Sequence, residues 1–389
     1  MALALTMGAS AMVPDYFNVP DVPGYVTLKG DFHNHTVFSD ASQWPTSRVV
    51  EAAYDDLDIF AITDHVETRH RKMVKKGLFT ESCTRNTSFE IASSVSKKYG
   101  VRVLHGCEIT CGQRIFPGHF NAHFISDGEK IADAQDAYLE KNSSKKTAKN
   151  EQELIRVSLE AARAQKAFIS WNHPNWAPQE PNTPEWTPFV DGLYKDGLFD
   201  AIEIVNQSVG GICKEGFHWC IEKNLACVSG TDCHAEMSEI VDYQRGEHRV
   251  MTLVFAKENS EEAIREALDA RRTAVVYEDC VYGPEAVVEP FFKACFKISN
   301  VKATKSAITF TVENVSSCPL LIKKAPGSEN LCFERLRLSP GEKVKYSIKP
   351  VHGGKTFGFS ECDYNIEVEN FFVDADVPLK VGYHFSIAE

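Results

Sequence analysis

Between about Pro20 and Pro290, short apolar runs alternate with amphipathic stretches. The first run, Tyr25-Val26-Thr27-Leu28-Lys29-Gly30, alternates apolar and polar residues and predicts a β-strand. Residues 59–63, 101–104, 167–171, 201–205, 226–229, 251–255 and 273–277 are short, nearly unbroken apolar runs, as buried parallel strands require. Helices fall between them. In 261–272, Ala263, Ile264, Ala267 and Leu268 form one apolar stripe, and Asn259 with Glu262 resembles a capping box. The basic pair Arg271-Arg272 suits the negative end of that helix. Strand–helix alternation repeated about seven times predicts a parallel α/β barrel. The polar stretch 141–150 reads as a solvated loop ahead of a helix over 151–165.

After about Cys295 the period shortens to two. Ile308, Phe310 and Val312 alternate with polar residues, as do Val344, Tyr346 and Ile348, and then Ile366 and Val368. Pro326-Gly327, Pro340-Gly341 and Gly353-Gly354 punctuate these runs. This predicts a small all-β sandwich over 295–389, behind a barrel over 22–294 and an N-terminal segment over 1–21.

Charge and composition narrow the class. The 389 residues carry 54 acidic against 42 basic side chains, a net charge of -12, which argues against a stable nucleic-acid partner. No apolar stretch is long enough to predict a membrane span. Ala9-Ser10-Ala11 has the small-x-small form of a signal cleavage site after apolar residues, without a basic region ahead of it. An exported or periplasmic protein is expected over a cytoplasmic one. The 12 cysteines form no Cys-x-x-Cys pair, and read as small buried hydrophobes rather than a disulfide framework.

Chemistry gathers at the strand ends. His33 and His35 follow the first strand, and their spacing puts both on one face of an extended segment. Asp40, Asp64-His65, Glu108, His119, His123, His173, Asp232 and His234 follow at or near later strand ends. In a barrel these ends converge on one face. Every candidate ligand is an imidazole or a carboxylate, which suits Zn, Mn or Fe, and the set is too large for one ion. Two or three divalent ions are expected.

Asp31-Phe32-His33-Asn34-His35-Thr36 with Ser39-Asp40, Ala61-Ile62-Thr63-Asp64-His65, Glu108-Ile109-Thr110, His119, Asn172-His173-Pro174 and Gly230-Thr231-Asp232-Cys233-His234 occur in that order. As a set they resemble the PHP (polymerase and histidinol phosphatase) family of metal-dependent phosphoesterases. Gly118-His119-Phe120-Asn121-Ala122, Trp171-Asn172-His173-Pro174 and the segment 248–257 are similar to a bacterial subgroup with a C-terminal β-domain, which includes organophosphate-diester phosphodiesterases. The resemblance implies a distorted (β/α)7 barrel and a trinuclear site. His33, His35 and Asp232 would hold one ion, with Glu108 bridging to a second completed by His119 and His173. Asp40, His65 and His234 would hold the third, with Asp40 standing where some relatives have histidine. His123 is the alternative to His119.

The expected activity is hydrolysis of a small phosphate ester, most readily a diester, by a metal-bridging hydroxide, with Glu108, Asp232 and His234 as the catalytic set. Asp232 or a nearby histidine would serve as general acid. The alternatives are a phosphomonoesterase of histidinol-phosphate or nucleotide type, or a non-catalytic, metal-stabilised binding protein. Arg69, Arg85 and Arg249 are candidate phosphate binders, and each equally fits an ordinary salt-bridged arginine. Trp44, Trp176 and Trp186 could wall a pocket or pack the scaffold. Asp64, Glu203 and Asn206 are expected to orient ligands, His218 to pack the core, and Cys233 to be structural. The β-domain is a candidate dimerisation surface.

Overall fold

A computed structural model describes residues 17–67, 77, 80, 82–112, 116–142, 147–176, 184–304, 307–326, 334–348, 351–352, 355–356 and 361–386. The cleavage-site motif, Arg69 and the Gly353-Gly354 turn lie outside the described residues.

The chain runs β1 (Val26–Asp31), α1 (Pro45–Tyr54), β2 (Ile59–Ile62), α2 (Thr87–Tyr99), β3 (Arg102–Ile109), β4 (His119–His123), α3 (Glu129–Asn142), α4 (Ala148–Arg163) and β5 (Phe168–Asn172). It continues through α5 (Pro188–Lys195), β6 (Ala201–Asn206), α6 (Lys214–Lys223), β7 (Ala226–Gly230), β8 (Met251–Ala256), α7 (Glu261–Asp269), β9 (Thr273–Tyr277), β10 (Cys280–Tyr282) and α8 (Glu285–Cys295). Strands β1 to β7 are hydrogen-bonded in sequence order. Beyond its last residue β7 returns to the start: Phe32 N–H donates to Ser229 O at 3.4 Å, Asp232 N–H donates to His33 O at 2.8 Å, and Asn34 forms a parallel bridge with Cys233. The barrel closes at this seam.

The all-parallel expectation needs correction. β4 is antiparallel to both β3 and β5, and β8 is antiparallel to β1 and β9. Among the described residues no helix separates β3 from β4, and the connection of nine residues suits an antiparallel pair. The reversal matters for the site, because β4 delivers its first residue, not its last, to the face where its neighbours end.

Helix α7 closes the opposite mouth. Ile264, Ala267 and Leu268 pack in one cluster with Leu28, Ile59, Leu104, Phe168, Ala201 and Ala226, which lie at or near the amino ends of six barrel strands. Burying Ile264 and Leu268 contributes about 1.5–3 kcal/mol each. The cap of α7 is Ser260, whose side chain accepts from Ala263 N–H, and not Asn259. The Asn259 side chain accepts from Arg102 Nε at 3.2 Å. The helix stops at Asp269, since Arg271 adopts a left-handed φ of 58° and Arg272 turns to Phe255 O. The polar stretch expected as loop is partly helical: Lys141 and Asn142 end α3, and α4 begins at Ala148.

The described residues of the C-terminal part form β11 (Phe296–Ala303), β12 (Ile308–Asn314), β13 (Leu320–Lys324), β14 (Arg335–Leu338), β15 (Lys343–Ile348), the two-residue β16 (Val351–His352) and β17 (Lys355–Thr356), β18 (Glu361–Asp374) and β19 (Val377–Ser386). Inward residues of the β11–β12–β15 sheet, such as Phe310 and Val312, share one core with Ile322, Leu338, Ile366 and Val368 from the other sheet. The long β18 pairs in parallel with β10, so its sheet is continuous with the barrel's. Asn370 fastens this junction, its amide donating to Asp279 O at 2.5 Å and to Pro319 O at 2.8 Å. No helix among the described residues is long and apolar enough to cross a membrane.

His105 on β3 stacks on Phe89 of α2, with centroids 4.2 Å apart and planes 9° from parallel. Burial disfavours the charged ring and moves its pKa from 6.5 to about 4. The unfolded chain therefore takes up a proton at pH values where the folded chain does not. Stabilisation by the neutral ring is whole above the unfolded value and is lost as pH falls toward about 4. His105→Phe keeps a stacking ring without a proton site. The drop in urea midpoint between neutral and mildly acidic pH should be shallower in this variant than in the wild type.

Candidate metal centre

The ligand candidates meet at the mouth opposite α7. His33 and His35 lie just beyond β1, His65 beyond β2, Glu108 near the end of β3, His173 beyond β5, and Asp232 and His234 beyond β7. His119 opens the reversed β4 and pairs with Asn172 at the end of β5. His123 closes β4 at the other end, opposite Gly106 and Phe168. The structure thus brings His119 to the cluster and leaves His123 in the barrel interior, edge-on to Phe32, where burial pushes its pKa down to about 3.

Glu108, fully buried, is the hub. Its carboxylate oxygens lie 3.3 Å from His33 Nε2, 3.3 Å from His35 Nε2, 2.7 Å from His65 Nδ1, 2.9 Å from His119 Nδ1 and 3.3 Å from His173 Nε2. Asp232 Oδ1 lies 3.0 Å from His35 Nε2 and 3.3 Å from His33 Nε2. Asp40 Oδ1 lies 3.4 Å from His65 Nε2 and 3.2 Å from His234 Nε2. Four overlapping sets have donor atoms close enough to share an ion: His35–Asp40–His65–His234, His33–His35–Glu108, His33–His173–Asp232 and Glu108–His119–His173.

The donors fit divalent ions on two counts. His33 Nε2 and His35 Nε2 face each other at 3.1 Å. Two nitrogens about 2.0–2.1 Å from one tetrahedral ion sit about 3.3 Å apart. In addition, His65 Nδ1 and Glu108 Oε2, though 2.7 Å apart, are out of line for a hydrogen bond, and both are buried without a hydrogen-bond partner. Buried polar atoms need partners, and ions held by the sets that contain Glu108 or His65 would supply them.

Electrostatics point the same way. Burial opposes charge on the His33 ring, but the Asp232, Glu203 and Glu108 carboxylates outweigh it and hold its pKa well above the usual range. His65 is raised similarly against burial by Glu108 and Asp40, and His234 by Asp40 and Asp232. Burial would raise Glu108, yet His33, His65 and His119 hold it well below the carboxylate range.

Supporting side chains set the rings. Glu203 Oε1 meets His33 Nδ1 at 2.9 Å, which leaves Nε2 toward the cluster, and Glu203 Oε2 accepts from His173 N–H at 2.9 Å. Asp64 accepts from Thr36 N–H, Thr36 Oγ1 and Ser39 Oγ, fixing the turn that carries Asp40. Asn206 Nδ2 donates to Glu203 and to Asp232, each at 3.1 Å. His173 and Asp232 adopt positive φ values of 30° and 52°, which are sparsely populated for side-chain-bearing residues and recur at functional sites. Gly230 is required at the seam: a Cβ there would lie 2.1 Å from His33 Cβ.

The two described candidate arginines, Arg85 and Arg249, do not join the cluster. Arg249 is buried, in ion pairs with Asp55 at 2.7 Å and Asp31 at 3.3 Å. Arg85 pairs with Glu129 at 2.6 Å and donates to Val66 O. Trp176 packs on the rings of His119 and His173, Trp44 lies against Phe38, and Trp186 packs on Trp171 and Trp219 in the scaffold. His218 is more than half exposed and meets Asp374 rather than the core, while Cys233 is buried with Met237 and Val241. Sequence reasoning missed Asp31, which accepts from Thr231, and Arg48, which bonds two ligand-bearing segments. A signal for Arg48 exists: it sits inside the buried stripe Pro45–Val49–Ala52 of α1.

No protein-family model matches the chain. No curated protein matches it either. Among solved structures, a two-domain protein from Bacteroides vulgatus ATCC 8482, described as containing a predicted PHP-like metal-dependent phosphoesterase, is 36% identical with a TM-score of 0.80, over 95% of this chain and 98% of that one. A protein from Bifidobacterium adolescentis, described as a candidate metal-dependent phosphoesterase, is 17% identical with a TM-score of 0.38, over 53% of this chain and 87% of that one. An amidohydrolase from Chromobacterium violaceum is 16% identical with a TM-score of 0.36, over 54% and 89%. These two matches are too distant to carry an argument.

Protons and metal ions compete for the same imidazole nitrogens. The carboxylates around His33, His65 and His234 raise their pKa values, so these rings keep protons to higher pH than a free imidazole, and a bound ion would displace them. Metal titrations by calorimetry in two buffers of different protonation enthalpy should therefore show proton release. The dissociation constant should rise as pH is lowered from about 8 to about 6.

Proposed function

Because the chain belongs to the PHP-like family of metal-dependent phosphoesterases, we propose that it hydrolyses a small phosphate ester, most readily a diester, at two or three divalent ions held by His33, His35, Asp40, His65, Glu108, His119, His173, Asp232 and His234. The observation that carries this reading is one buried carboxylate, Glu108, within about 3.3 Å of imidazoles from three strand ends and the start of β4. Imidazole and carboxylate donors without thiolate favour Zn, Mn or Fe.

Ions bound there would polarise a phosphoryl oxygen and supply hydroxide at neutral pH. The chain's own residues do the rest. Glu108 presents both oxygens to the cluster, so it would help hold the ions rather than serve as a free base. Glu203 fixes the His33 tautomer and the His173 backbone together. Asp40 and His234 are the open side of the set, with side chains 42% and 40% exposed, so substrate enters and the leaving group departs past them. His234, whose Nε2 lies 3.2 Å from Asp40 Oδ1, would either help hold an ion with His35, Asp40 and His65 or hold the proton that the departing alkoxide takes.

Diester preference has a charge argument. A monoester dianion gains most from a cationic fork beside the metals. Arg85 and Arg249, the two described candidates for that task, are committed to carboxylates. A singly charged diester needs only the ions.

Protein loaded with Mn or Zn should cleave bis(p-nitrophenyl) phosphate with a higher kcat/KM than p-nitrophenyl phosphate. His33→Ala and Glu108→Ala should each lower diester turnover by at least about 100-fold. Full activity in both variants, or a monoester rate above the diester rate, would contradict the reading.

A further inference from the structure

Arg48 lies on α1 with no exposed surface, yet it carries a charge into an apolar stripe. Its Nε donates to His35 O at 2.9 Å, and its Nη2 donates to Cys233 O at 2.8 Å. The third direction of the fork, Nη1, donates to Glu51 Oε2 at 2.9 Å, and Glu51 Oε1 accepts from Met237 N–H at 3.2 Å. One planar group therefore joins the backbone after β1, at a candidate ligand, to the backbone after β7, between the candidate ligands Asp232 and His234. A methionine of similar length would fill the same apolar space. What arginine adds is two donors aimed at the carbonyls of these two segments.

We propose that Arg48 is a positioning residue for the metal centre, a clamp that sets the spacing between the His33–His35 and Asp232–His234 segments. The inference rests on the ligand assignment proposed above. It is selective in what it predicts. The sets His33–His173–Asp232 and His35–Asp40–His65–His234 draw ligands from the clamped segments, whereas Glu108–His119–His173 draws none. His35 Nε2 now lies 3.0 Å from Asp232 Oδ1 and His234 Nε2 3.2 Å from Asp40 Oδ1, and both spacings depend on the clamp.

The test compares wild type, Arg48→Met and Arg48→Lys as full chains. Each is stripped of metal, titrated with Zn or Mn, and dialysed for elemental analysis; the cobalt(II) forms are compared by visible absorption, and the metal-free forms by thermal melting. Arg48→Met should retain one tightly held ion while the remaining sites weaken by about 10- to 100-fold, with an altered cobalt spectrum. Arg48→Lys, with a single donor group in place of a fork, should fall between, and it carries the test if the methionine variant does not fold. Wild-type affinities and spectrum in the variants, even with a lowered melting temperature, would make Arg48 a scaffold residue and overturn the inference. Equal weakening of every site would also overturn it. A wild type that binds fewer than two ions would instead refute the ligand assignment beneath it.

Discussion

The structure is organised around a buried negative charge. Glu108 has essentially no contact with solvent, and an isolated carboxylate in that position would cost many kcal/mol of lost hydration. Two more carboxylates, Asp232 and Glu203, lie in the same interior. Such a cluster persists only if positive charge is delivered to it. The fold delivers imidazoles from the strand ends, which can hold protons or give them up to metal ions. Reversing β4 belongs to the same solution, because it brings a further imidazole to the ligand face from a strand that would otherwise offer its far end.

Behind the candidate ligands stands a second layer of paired charges, which meets them through the main chain where His33 N–H donates to Asp31. Asp31 accepts from Thr231 and pairs with Arg249; Arg249 pairs with Asp55; Asp55 accepts from Tyr243. Burial raises the Asp31 carboxyl pKa despite the guanidinium beside it, so this bond network works against a real desolvation cost. Its members link α1, the β1 end and the loop after β7. Truncating one partner would leave another charge buried alone, which makes the network an all-or-none support for the loop that carries Asp232 and His234.

Much of this was legible in the sequence, for physical reasons. Strands buried on both faces print as apolar runs, so the barrel strands other than β4 could be placed, although β3 runs on to Ile109, past the apolar run 101–104. Imidazole and carboxylate at those ends marked the site. Strand direction was not legible: nothing in His119–His123 distinguishes a reversed strand, and the contest between His119 and His123 could be settled only by seeing which end faces the mouth. The arginines were misleading because a guanidinium reads the same whether it awaits a phosphate or already holds a carboxylate. Arg249 and Arg85 do the latter. Arg48 showed only as a charge inside the apolar stripe of α1; its bonds to the His35 and Cys233 carbonyls leave no complementary residue type in the sequence.

The seam between β1 and β7 has a consequence for how the protein matures. Phe32, His33 and Asn34 are joined to Ser229, Asp232 and Cys233 by main-chain bonds across almost the whole length of the barrel sequence. Contacts of such separation form late, after the intervening chain has paid its loop-closure entropy. The candidate ligands from both sides of the seam are therefore brought together only when the barrel closes. A growing or half-folded chain exposes histidines but no assembled centre, so order of synthesis and closure, as much as affinity, governs when the protein first becomes able to select its ions.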